Sequence, residues 1–323
     1  MKGVNTLLSI VRYSETDAPA WDEFVKSSWN GTFIHTRKYL AYHQSRFEDH
    51  SAILRDSNGK WVGLFPAAVD PDDPHMITSH PGITFGGVVH RGKLVGPAMI
   101  EALETICQFY SAREYQRLRY RSIPLIYHQV PSEDDRYALF RLGATIFRCD
   151  LFSVVNVVSP PSMSPQLPRK IAQGNSVNLV VHQGKDLLPK VWEVLSEQLK
   201  LRHNSTPVHS LAEIQDLFER FPSRLQCRAS YAGDTMASAV ITYDFGRVIR
   251  LQYSTATDFG RGVNATAWLL HRLLLSARAI GTTWFDFSSS NGNDGHVINE
   301  GLHRFKSQFG ASGVAHQFYE VSL

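Results

Sequence analysis

The sequence has few cysteines and little net charge, and each shortage argues against a class of protein. Its 323 residues include three cysteines, Cys107, Cys149 and Cys227, which lie far apart and form no Cys-x-x-Cys pair. A structural zinc site would need more ligands at closer spacing, so we expect no metal and a reducing, cytoplasmic setting. The formal net charge of +3 is too small for nucleic-acid binding through bulk electrostatics.

Long hydrophobic runs and common catalytic motifs are also missing. The longest apolar run, near residues 268–275, is interrupted by His271 and Arg272, whereas a membrane span needs ~18 uncharged apolar residues. The chain contains no His-Glu-x-x-His, no Walker phosphate loop and no Gly-x-Ser-x-Gly. We therefore expect no membrane span, and the patterns favour neither a metal centre nor Ser-His-Asp hydrolysis.

What the sequence does contain is the composition of a globular chain with two domains. It is 43% hydrophobic and 20% charged, and its 323 residues are enough for about two domains. Four prolines fall within residues 159–168 (SPPSMSPQLP), where they disfavour a continuous helix or a central strand. We predict an N-terminal domain over residues 1–158, a linker over 159–168 and a C-terminal domain over 169–323.

The two halves show the same order of predicted elements. Gly59 and Gly233 lie in equivalent hairpin turns, and helices near Pro97 and Ala265 follow, each between two strands. Such a unit implies a mixed, mostly antiparallel sheet with helices on its faces. The sequence therefore predicts a repeated α/β fold of the mixed α+β kind.

The segment at residues 261–309 carries the strongest functional signal. A glycine-containing turn, RGVNAT at 261–266, enters a long helix, and such a turn leaves backbone N–H groups available to a phosphate. Asn264 tolerates a positive φ, so we expect it to hold the turn. Thr266 adds a hydroxyl that is able to bond a phosphate oxygen. We predict that a phosphorylated cofactor is bound by Arg261, Gly262, Asn264, Ala265 and Thr266.

With these residues in view, the chain resembles the tandem-domain branch of the GNAT acyltransferase superfamily. Within that branch it looks most like the FemAB-like sugar N-acyltransferases of surface-polysaccharide gene sets. The resemblance covers nearly the whole chain. It lies in the stretches 30–51 (NGTFIHTRKYLAYHQSRFEDHS), 79–87 (SHPGITFGG), 119–144 (RYRSIPLIYHQVPSEDDRYALFRLGA) and 298–311 (INEGLHRFKSQFGA).

The resemblance implies two tandem GNAT-like domains and a donor, acyl-CoA, bound without a metal. The implied acceptor is the amino group of a nucleotide-linked amino-deoxy sugar that feeds O-antigen, capsule or lipopolysaccharide synthesis. The implied partners are these small molecules, with no nucleic acid, and a homodimer is compatible with the family. The resemblance also places Ser289 and Asn291 beside the cofactor or the acceptor.

The chain departs from the family at the phosphate loop. The family pattern is Arg or Gln, two residues, Gly, one residue, then Gly or Ala. Counted from Arg261, this sequence has Asn264 in place of the first Gly and Thr266 in place of the second small residue. The alternative interpretation is a helix entry that binds no ligand.

Acyl transfer to an amine favours a proton acceptor, because the amine must lose its charge before it attacks. Positioning of the reactants contributes as much as ~7–11 kcal/mol, so a single base is not indispensable. His80, which follows a strand in a Ser-His-Pro-Gly loop, is the leading candidate base. Asp286, an acid inside an apolar strand, is predicted to orient a histidine or bind the amine, with a structural ion pair as the alternative. Backbone N–H groups at 252–254 are expected to stabilise the oxyanion.

Five residues are predicted to bind the acceptor: Thr84, Tyr127, His128, Tyr253 and Lys306. Tyr127 and His128 are suited to stacking on a nucleotide base or bonding its sugar, and His128 is the second candidate base. Lys306, on the last predicted helix, is suited to phosphates.

Two other functions remain open. One is aminoacyl transfer of the FemABX type, with charged tRNA as donor; those enzymes commonly carry an inserted helical hairpin in the second domain. No long heptad-like segment occurs after Ser159, which counts against it. The other is a binding module that keeps the fold without the chemistry, which the residues Asn264 and Thr266 support.

Overall fold

The chain divides into two compact units in the computed structural model, which describes residues 8–323 except the side chain of His203. The N-terminal unit contains the described residues through Asp150, together with Asp294–His296 and Ala315–Leu323. The C-terminal unit contains Leu151–Asn293 and Val297–Val314. The division thus falls before the proline-rich stretch at 159–168, and the end of the chain returns to the N-terminal unit.

The helices and strands follow in chain order. The first half contains β1 (Ser9–Arg12), α1 (Ala18–Lys26), α2 (Arg37–Leu40), β2 (Ala52–Arg55), β3 (Trp61–Phe65), β4 (Ala68–Asp70), β5 (Asp73–Thr78), β6 (Val89–His90), α3 (Pro97–Ser111), β7 (Arg117–Arg121), α4 (Asp134–Arg141) and β8 (Thr145–Asn156). The second half contains α5 (Leu167–Ser176), β9 (Val180–Gln183), α6 (Leu188–His203), α7 (Leu211–Arg220), β10 (Leu225–Ala232), β11 (Thr235–Asp244), β12 (Val248–Ala256), α8 (Asp258–Gly262), α9 (Ala265–Ala279), β13 (Trp284–Ser289), β14 (Asn291–Gly292), β15 (Val297–Ile298), α10 (Glu300–Ser307) and β16 (Ser312–Ser322).

The N-terminal unit is organised around a parallel strand pair joined by a helix. Strands β1, β2, β3 and β6 form one sheet, and β4, β5, β7 and β16 are neighbours in another. Strands β5 and β7 pair in parallel, with Ile77 opposite Leu118, and α3 makes the connection that a parallel pair requires. Alternate residues of β7, Leu118 and Tyr120, are fully buried in the core together with Leu103 of α3.

The C-terminal unit repeats this arrangement. Its strands are neighbours in the order β8, β13, β12, β11, β10, β9. Strands β12 and β13 pair in parallel, and α9 connects them. The face of α9 that contains Leu269, Leu270 and Leu273 is buried against Phe285 and Phe287 of β13 in one hydrophobic core. The predicted tandem repeat of mixed α+β units is therefore confirmed.

No helix among the described residues is long and apolar enough to cross a lipid bilayer.

Candidate functional site

Strands β12 and β13 separate at the middle of β12. Their parallel pairing covers Val248 to Arg250 on one strand and Trp284 to Asp286 on the other. Beyond that point β12 continues to Ala256 and β13 continues to Ser289. The two strands therefore open into a wedge within the C-terminal unit.

A β-bulge lies on β12 just past the last paired residue. Against β11, Tyr253 is opposite Ile241 and Leu251 is opposite Thr242, so Gln252 is the extra residue. A bulge leaves its extra residue out of the regular ladder. The bulge coincides with residues 252–254, whose backbone N–H groups were expected to stabilise an oxyanion.

The turn into α9 is held by Asn264. This residue has φ 54° and ψ 35°, in the left-handed region, as expected from its side chain. The side chain of Asn264 makes no capping hydrogen bond to α9. Because the first N–H groups of a helix have no partner within the helix, those at the start of α9, including Thr266, are suited to an anion.

A cavity of about 240 Å³ lies beside this helix start. It is lined by Leu195, Gln198, Leu199, Arg202, Ser254, Thr255, Ala256, Arg261 and Thr266. Thus α6, the end of β12 and the predicted phosphate loop all contribute to it.

The charge around this cavity favours an anion. The guanidinium of Arg261 donates to Gln198 Oε1 at 2.9 Å and to the Ala256 carbonyl, and it pairs with Asp258. Arg202 lies 3.7 Å from the same Asp258 carboxylate, which is largely exposed. Two guanidinium groups thus share one carboxylate beside the positive end of the α9 dipole.

Ser289 and Asn291 are not among the residues that line this cavity. The Ser289 carbonyl accepts from Lys306 Nζ at 2.6 Å, and Asn291 Oδ1 accepts from the Leu151 backbone N–H at 2.7 Å. Both residues therefore stabilise the structure around β13, and their contact with a cofactor stays a prediction.

Asp286 belongs to a buried charge cluster that we call the β13 cluster, made of Arg250, Asp286, Ser288 and Lys306. Asp286 is fully buried, pairs with Arg250 and accepts from the Ser288 N–H at 2.6 Å. The second Arg250 amino group donates to Ser288 Oγ at 2.8 Å. The ion pair that was the alternative interpretation is thus present, at the point where β12 and β13 separate.

Lys306 completes the β13 cluster from α10. Its ammonium donates to the carbonyls of Ser288 and Ser289 at 3.0 and 2.6 Å, and the residue is 4% exposed. The pKa of Lys306 is lowered to about 8, chiefly by burial; the nearby Asp286 opposes this shift and Arg250 adds to it. In this state Lys306 supports the end of β13 rather than presenting its charge at the surface.

Tyr253, directly after the bulge, pairs with a histidine that was not predicted. Its hydroxyl lies 2.5 Å from Nδ1 of His209, and its ring contacts Trp192 edge-on at 5.2 Å. Burial raises the pKa of Tyr253 to about 12, so the hydroxyl keeps its proton at neutral pH. His209 lies in a loop without helical or strand pattern, and no local sequence signal marked it.

His80 is placed in the N-terminal unit, with a backbone φ of 41°. Burial, and then the neighbouring His43, lower the pKa of His80 to about 3. Its Nδ1 accepts from the Gly82 N–H at 3.3 Å. The neutral ring therefore carries its proton on Nε2, which makes that atom a donor. In this tautomer His80 is not set up as a general base, and its catalytic role stays a prediction.

Tyr127 and His128 are buried in the N-terminal unit. The Tyr127 ring packs 4.5 Å from Phe85, centroid to centroid, and is 2% exposed. His128 Nε2 lies 3.0 Å from the Ile123 carbonyl, and burial lowers the His128 pKa to about 4. Stacking a base on Tyr127 would require a change in the packing around this buried ring. Thr84, next to Phe85, is half-buried.

The parallel pair of the N-terminal unit is closed where that of the C-terminal unit is open. Beyond β5, the Ser79 N–H donates to Arg119 O at 2.8 Å and the Gly86 N–H donates to Arg121 O at 3.1 Å. The Arg121 side chain donates back to Pro81 O and Ile83 O at 2.9 and 3.0 Å. Residues 79–86 therefore fill the space beside β7.

The start of the connecting helix also differs between the two units. The Gly96 N–H, at the start of α3, donates to Asp134 Oδ1 at 2.7 Å. The corresponding N–H at α9, that of Asn264, donates to the Arg261 carbonyl at 3.2 Å. The start of α3 is thus held by an internal carboxylate and that of α9 by a backbone carbonyl.

Among the side chains that the structure describes, no cluster of three or more His, Cys, Asp or Glu is arranged to hold a metal ion.

The sequence of the C-terminal unit defines the class of domain. Residues 166–306 match the family model described as "Acetyltransferase (GNAT) domain". That stretch contains β12 with its bulge, the phosphate loop, α9, β13 and Lys306. The C-terminal unit therefore matches a GNAT acetyltransferase domain over residues 166–306. No curated protein matches the chain.

The chain is similar in fold to several solved structures. FemX has a TM-score of 0.70 at 10% identity, over 98% of this chain and 97% of its own. L-PGS from Bacillus licheniformis has a TM-score of 0.63 at 11% identity, over 94% and 91%. The tandem GNAT protein from the clavulanic acid biosynthesis pathway has a TM-score of 0.52 at 11% identity, over 98% of both chains.

At these identities the likeness establishes the fold, two tandem GNAT-like domains, and not the substrate. The likeness also removes one objection to aminoacyl transfer. Because 97% of the FemX chain is covered by this one, the lack of an inserted helical hairpin does not separate the two proteins.

Proposed function

We propose that the C-terminal unit binds acyl-CoA, with its pyrophosphate at the start of α9, and that the protein transfers the acyl group to an amine. The observation that carries the proposal is the start of α9, where the Asn264 side chain makes no capping bond, set beside a cavity that Arg202 and Arg261 line. Helix N–H groups, the helix dipole and two guanidinium groups all favour a diphosphate there.

The unusual loop sequence is compatible with this role. Asn264 adopts the left-handed conformation for which the family uses glycine. Thr266 lines the cavity and brings a hydroxyl that is able to donate to a phosphate oxygen. Gly262 has no close neighbour among the described residues, so its lack of a side chain leaves room for a ligand.

The reaction would take place in the wedge between β12 and β13. The amine attacks the thioester carbon, the new C–N bond forms and the C–S bond breaks, with no covalent enzyme intermediate. The backbone at the Gln252 bulge stabilises the oxyanion. Tyr253, protonated beside the bulge, gives a proton to the leaving sulfur and recovers one from the attacking nitrogen. Asp286 acts by fixing Arg250 at the base of the wedge.

For the acceptor we propose the amino group of a nucleotide-linked amino-deoxy sugar, in a cytoplasmic step of surface-polysaccharide synthesis. This choice is supported by the sequence resemblance in the stretches 30–51, 79–87, 119–144 and 298–311. The donor site is supported by geometry, whereas the acceptor is supported by the resemblance alone.

Calorimetric titration with CoA and acetyl-CoA tests the donor site. The decisive variant is Thr266→Glu, because a carboxylate in the first turn stabilises a helix by about 0.3–1 kcal/mol while repelling a phosphate. We expect the variant to keep its melting temperature and to lose CoA affinity. The control Thr266→Ser keeps the hydroxyl and the affinity. If CoA does not bind, or binds equally well to Thr266→Glu, the proposed donor site is wrong.

Release of free CoA in the presence of a panel of nucleotide amino sugars tests the acceptor. We expect one of them to stimulate release, and Tyr253→Phe to slow turnover without weakening CoA binding. His80→Ala tests the remaining catalytic prediction: turnover falls at an unchanged melting temperature if His80 takes part. CoA binding without release for any amino sugar would leave the donor site in place and reject the acceptor.

A second candidate is aminoacyl transfer from tRNA. The fold likeness to FemX favours it. In that case CoA would not bind, whereas aminoacyl-tRNA would bind with an affinity that falls steeply as salt increases.

A further inference from the structure

The N-terminal unit contains a second cavity, larger than the one at α9. Its volume is about 940 Å³, against about 240 Å³ at α9. The size is within the usual range of small-molecule sites, about 300–1,000 Å³. It is lined by Arg12, Tyr13, Ser14, Glu15, Ala18, Pro19, Asp22, Arg37, Lys38, Leu40, Ala41, His43, Gln44, Phe47, Asp49 and His80. All of these residues belong to the N-terminal unit, and we call this cavity the N-terminal pocket.

One part of the N-terminal pocket is ionic. The Arg37 guanidinium pairs with Asp49, donates to Ser51 Oγ at 3.0 Å and stacks 3.7 Å above the Tyr13 ring. Asp22 accepts from the backbone N–H groups of Arg37 and Lys38. These bonds fix a cation and two carboxylates inside the pocket before any ligand arrives.

The other part of the N-terminal pocket is a group of aromatic and imidazole rings. The rings of His43 and His80 lie 5.1 Å apart, and Phe47 contacts both edge-on, at 5.0 and 5.5 Å. His80 lines the pocket, and its Nε2 carries the proton because Nδ1 accepts from the Gly82 N–H. This part therefore offers apolar ring faces together with one N–H donor.

The backbone around the ring group is held in a costly conformation. Gln44 and His80 both line the pocket and have φ of 51° and 41°, although neither is glycine or asparagine. Residues held in such regions cluster at ligand sites, where the surrounding structure enforces them. Gly82 packs so closely that a Cβ there would lie 2.4 Å from the His43 ring and 2.5 Å from the Phe47 ring. The pocket is thus preorganised.

The charges that line the N-terminal pocket decide which ligand it suits. The cationic side chains are Arg12, Arg37 and Lys38, and the anionic ones are Glu15, Asp22 and Asp49, so their formal charges cancel. A nucleotide diphosphate needs an excess of positive charge. A pocket wall with both cationic and anionic side chains pairs with the carboxylate and the ammonium of a zwitterion.

We propose that the N-terminal pocket is a second ligand site, which takes a zwitterionic amino acid or short peptide. Its ammonium and carboxylate lie among the charged side chains, and its side chain lies against the rings of His43, Phe47 and His80. The proposal goes beyond the acyltransferase assignment, because it uses neither the residues nor the ligand of the donor site.

Ligand-observed NMR and calorimetry test the proposal with defined probes. The probes are the free L-amino acids and a set of alanyl dipeptides, each with its N-acetyl and its carboxamide derivative. We expect at least one zwitterion to bind saturably, and both of its single-charge derivatives to bind about tenfold more weakly. UMP and pyrophosphate serve as probes for an anion site.

Two exposed positions at the pocket provide variants that leave the core intact. Lys38→Met and Glu15→Gln each remove one charge from the lining, and Lys60→Met and Glu104→Gln make the same changes outside the pocket. We expect the first two to weaken the zwitterion about tenfold and the controls to leave its affinity unchanged. CoA affinity should be the same in all four, which separates this site from the donor site.

The proposal is overturned if no zwitterion binds, if the derivatives bind as well as the parent, or if Lys38→Met and Glu15→Gln have no effect. Binding of UMP or pyrophosphate that depends on Lys38, without zwitterion binding, would overturn it as well.

Discussion

Both units contain a parallel strand pair that a helix connects, and they differ at the end of that pair. In the N-terminal unit residues 79–86 hydrogen-bond to β7, and the Asp134 carboxylate occupies the start of α3. In the C-terminal unit β12 and β13 separate after Arg250, and the Asn264 side chain makes no capping bond to α9. The end of the parallel strand pair is thus closed in the N-terminal unit and open in the C-terminal unit.

The connecting segments explain the difference. Residues 79–96 form a long connection between β5 and α3 that folds back over the strands, where Arg121 binds its carbonyls. Residues 257–264 are a short connection between β12 and α9, and most of them are taken up by α8. This connection is too short to fold back between β12 and β13. The wedge between these strands therefore keeps space for a ligand.

Acidification should have the largest effect and should act on the N-terminal unit. Burial lowers the pKa of His35, His90 and His128 to about 4 and that of His80 to about 3. As pH falls from about 6.5 towards 4, the unfolded chain takes up protons that the folded unit does not. Each such histidine removes up to about 1.4 kcal/mol of stability per pH unit in that range.

Hydrogen exchange of both units, followed by mass spectrometry between pH 7 and pH 4, measures this effect. We expect α3 and β7 to lose protection at a higher pH than α9 and β12. Loss of protection in both units at the same pH would show that the buried histidines do not set the acid stability.

The substitution Asp286→Asn should have the next largest effect, in the C-terminal unit. It leaves Arg250 and Lys306 buried without their carboxylate, and breaking a buried ion pair typically costs about 3–5 kcal/mol. The matched control is Asp234→Asn in the exposed β10–β11 turn, which should change the free energy of unfolding little. Equal stability of the two variants in denaturant titrations would contradict the role given to the β13 cluster.

The glycines of α8 should respond in opposite directions. A Cβ at Gly260 would lie 1.7 Å from the Ala237 carbonyl oxygen of β11, so Gly260→Ala forces α8 off the sheet. We expect it to cost about 3 kcal/mol and to abolish CoA binding. At Gly262 the space is empty among the described residues, so Gly262→Ala should be neutral or gain up to about 1 kcal/mol. Thermal unfolding and CoA titration of the pair measure both effects, and similar behaviour of the two variants would mean that α8 does not position the loop.

The glycine positions are among the features of the fold that could be predicted from the sequence. The hairpins at Gly59 and Gly233, the helices α3 and α9 and the left-handed Asn264 follow from local turn chemistry and periodicity. Helix α7 was missed, although Ser210 and Glu213 form a capping box that the sequence displays. The pairing of His209 with Tyr253 and the closure of residues 79–86 by Arg121 depend on long-range register. No local pattern encodes such register, and for that reason the open unit could not be told from the closed one.

The smallest expected effect comes from Asp134→Ala, which makes the start of α3 resemble that of α9. The loss of one capping carboxylate should cost about 1 kcal/mol. The control Glu133→Gln removes a neighbouring acid without affecting the Gly96 N–H.

CoA should bind the Asp134→Ala variant with unchanged affinity and stoichiometry, because residues 79–86 still fill the space beyond β5 and β7. A second bound CoA in a calorimetric titration would mean that the helix start alone distinguishes the two units. An unchanged stoichiometry would mean that removing the carboxylate from the helix start is not sufficient to make a phosphate site in the N-terminal unit.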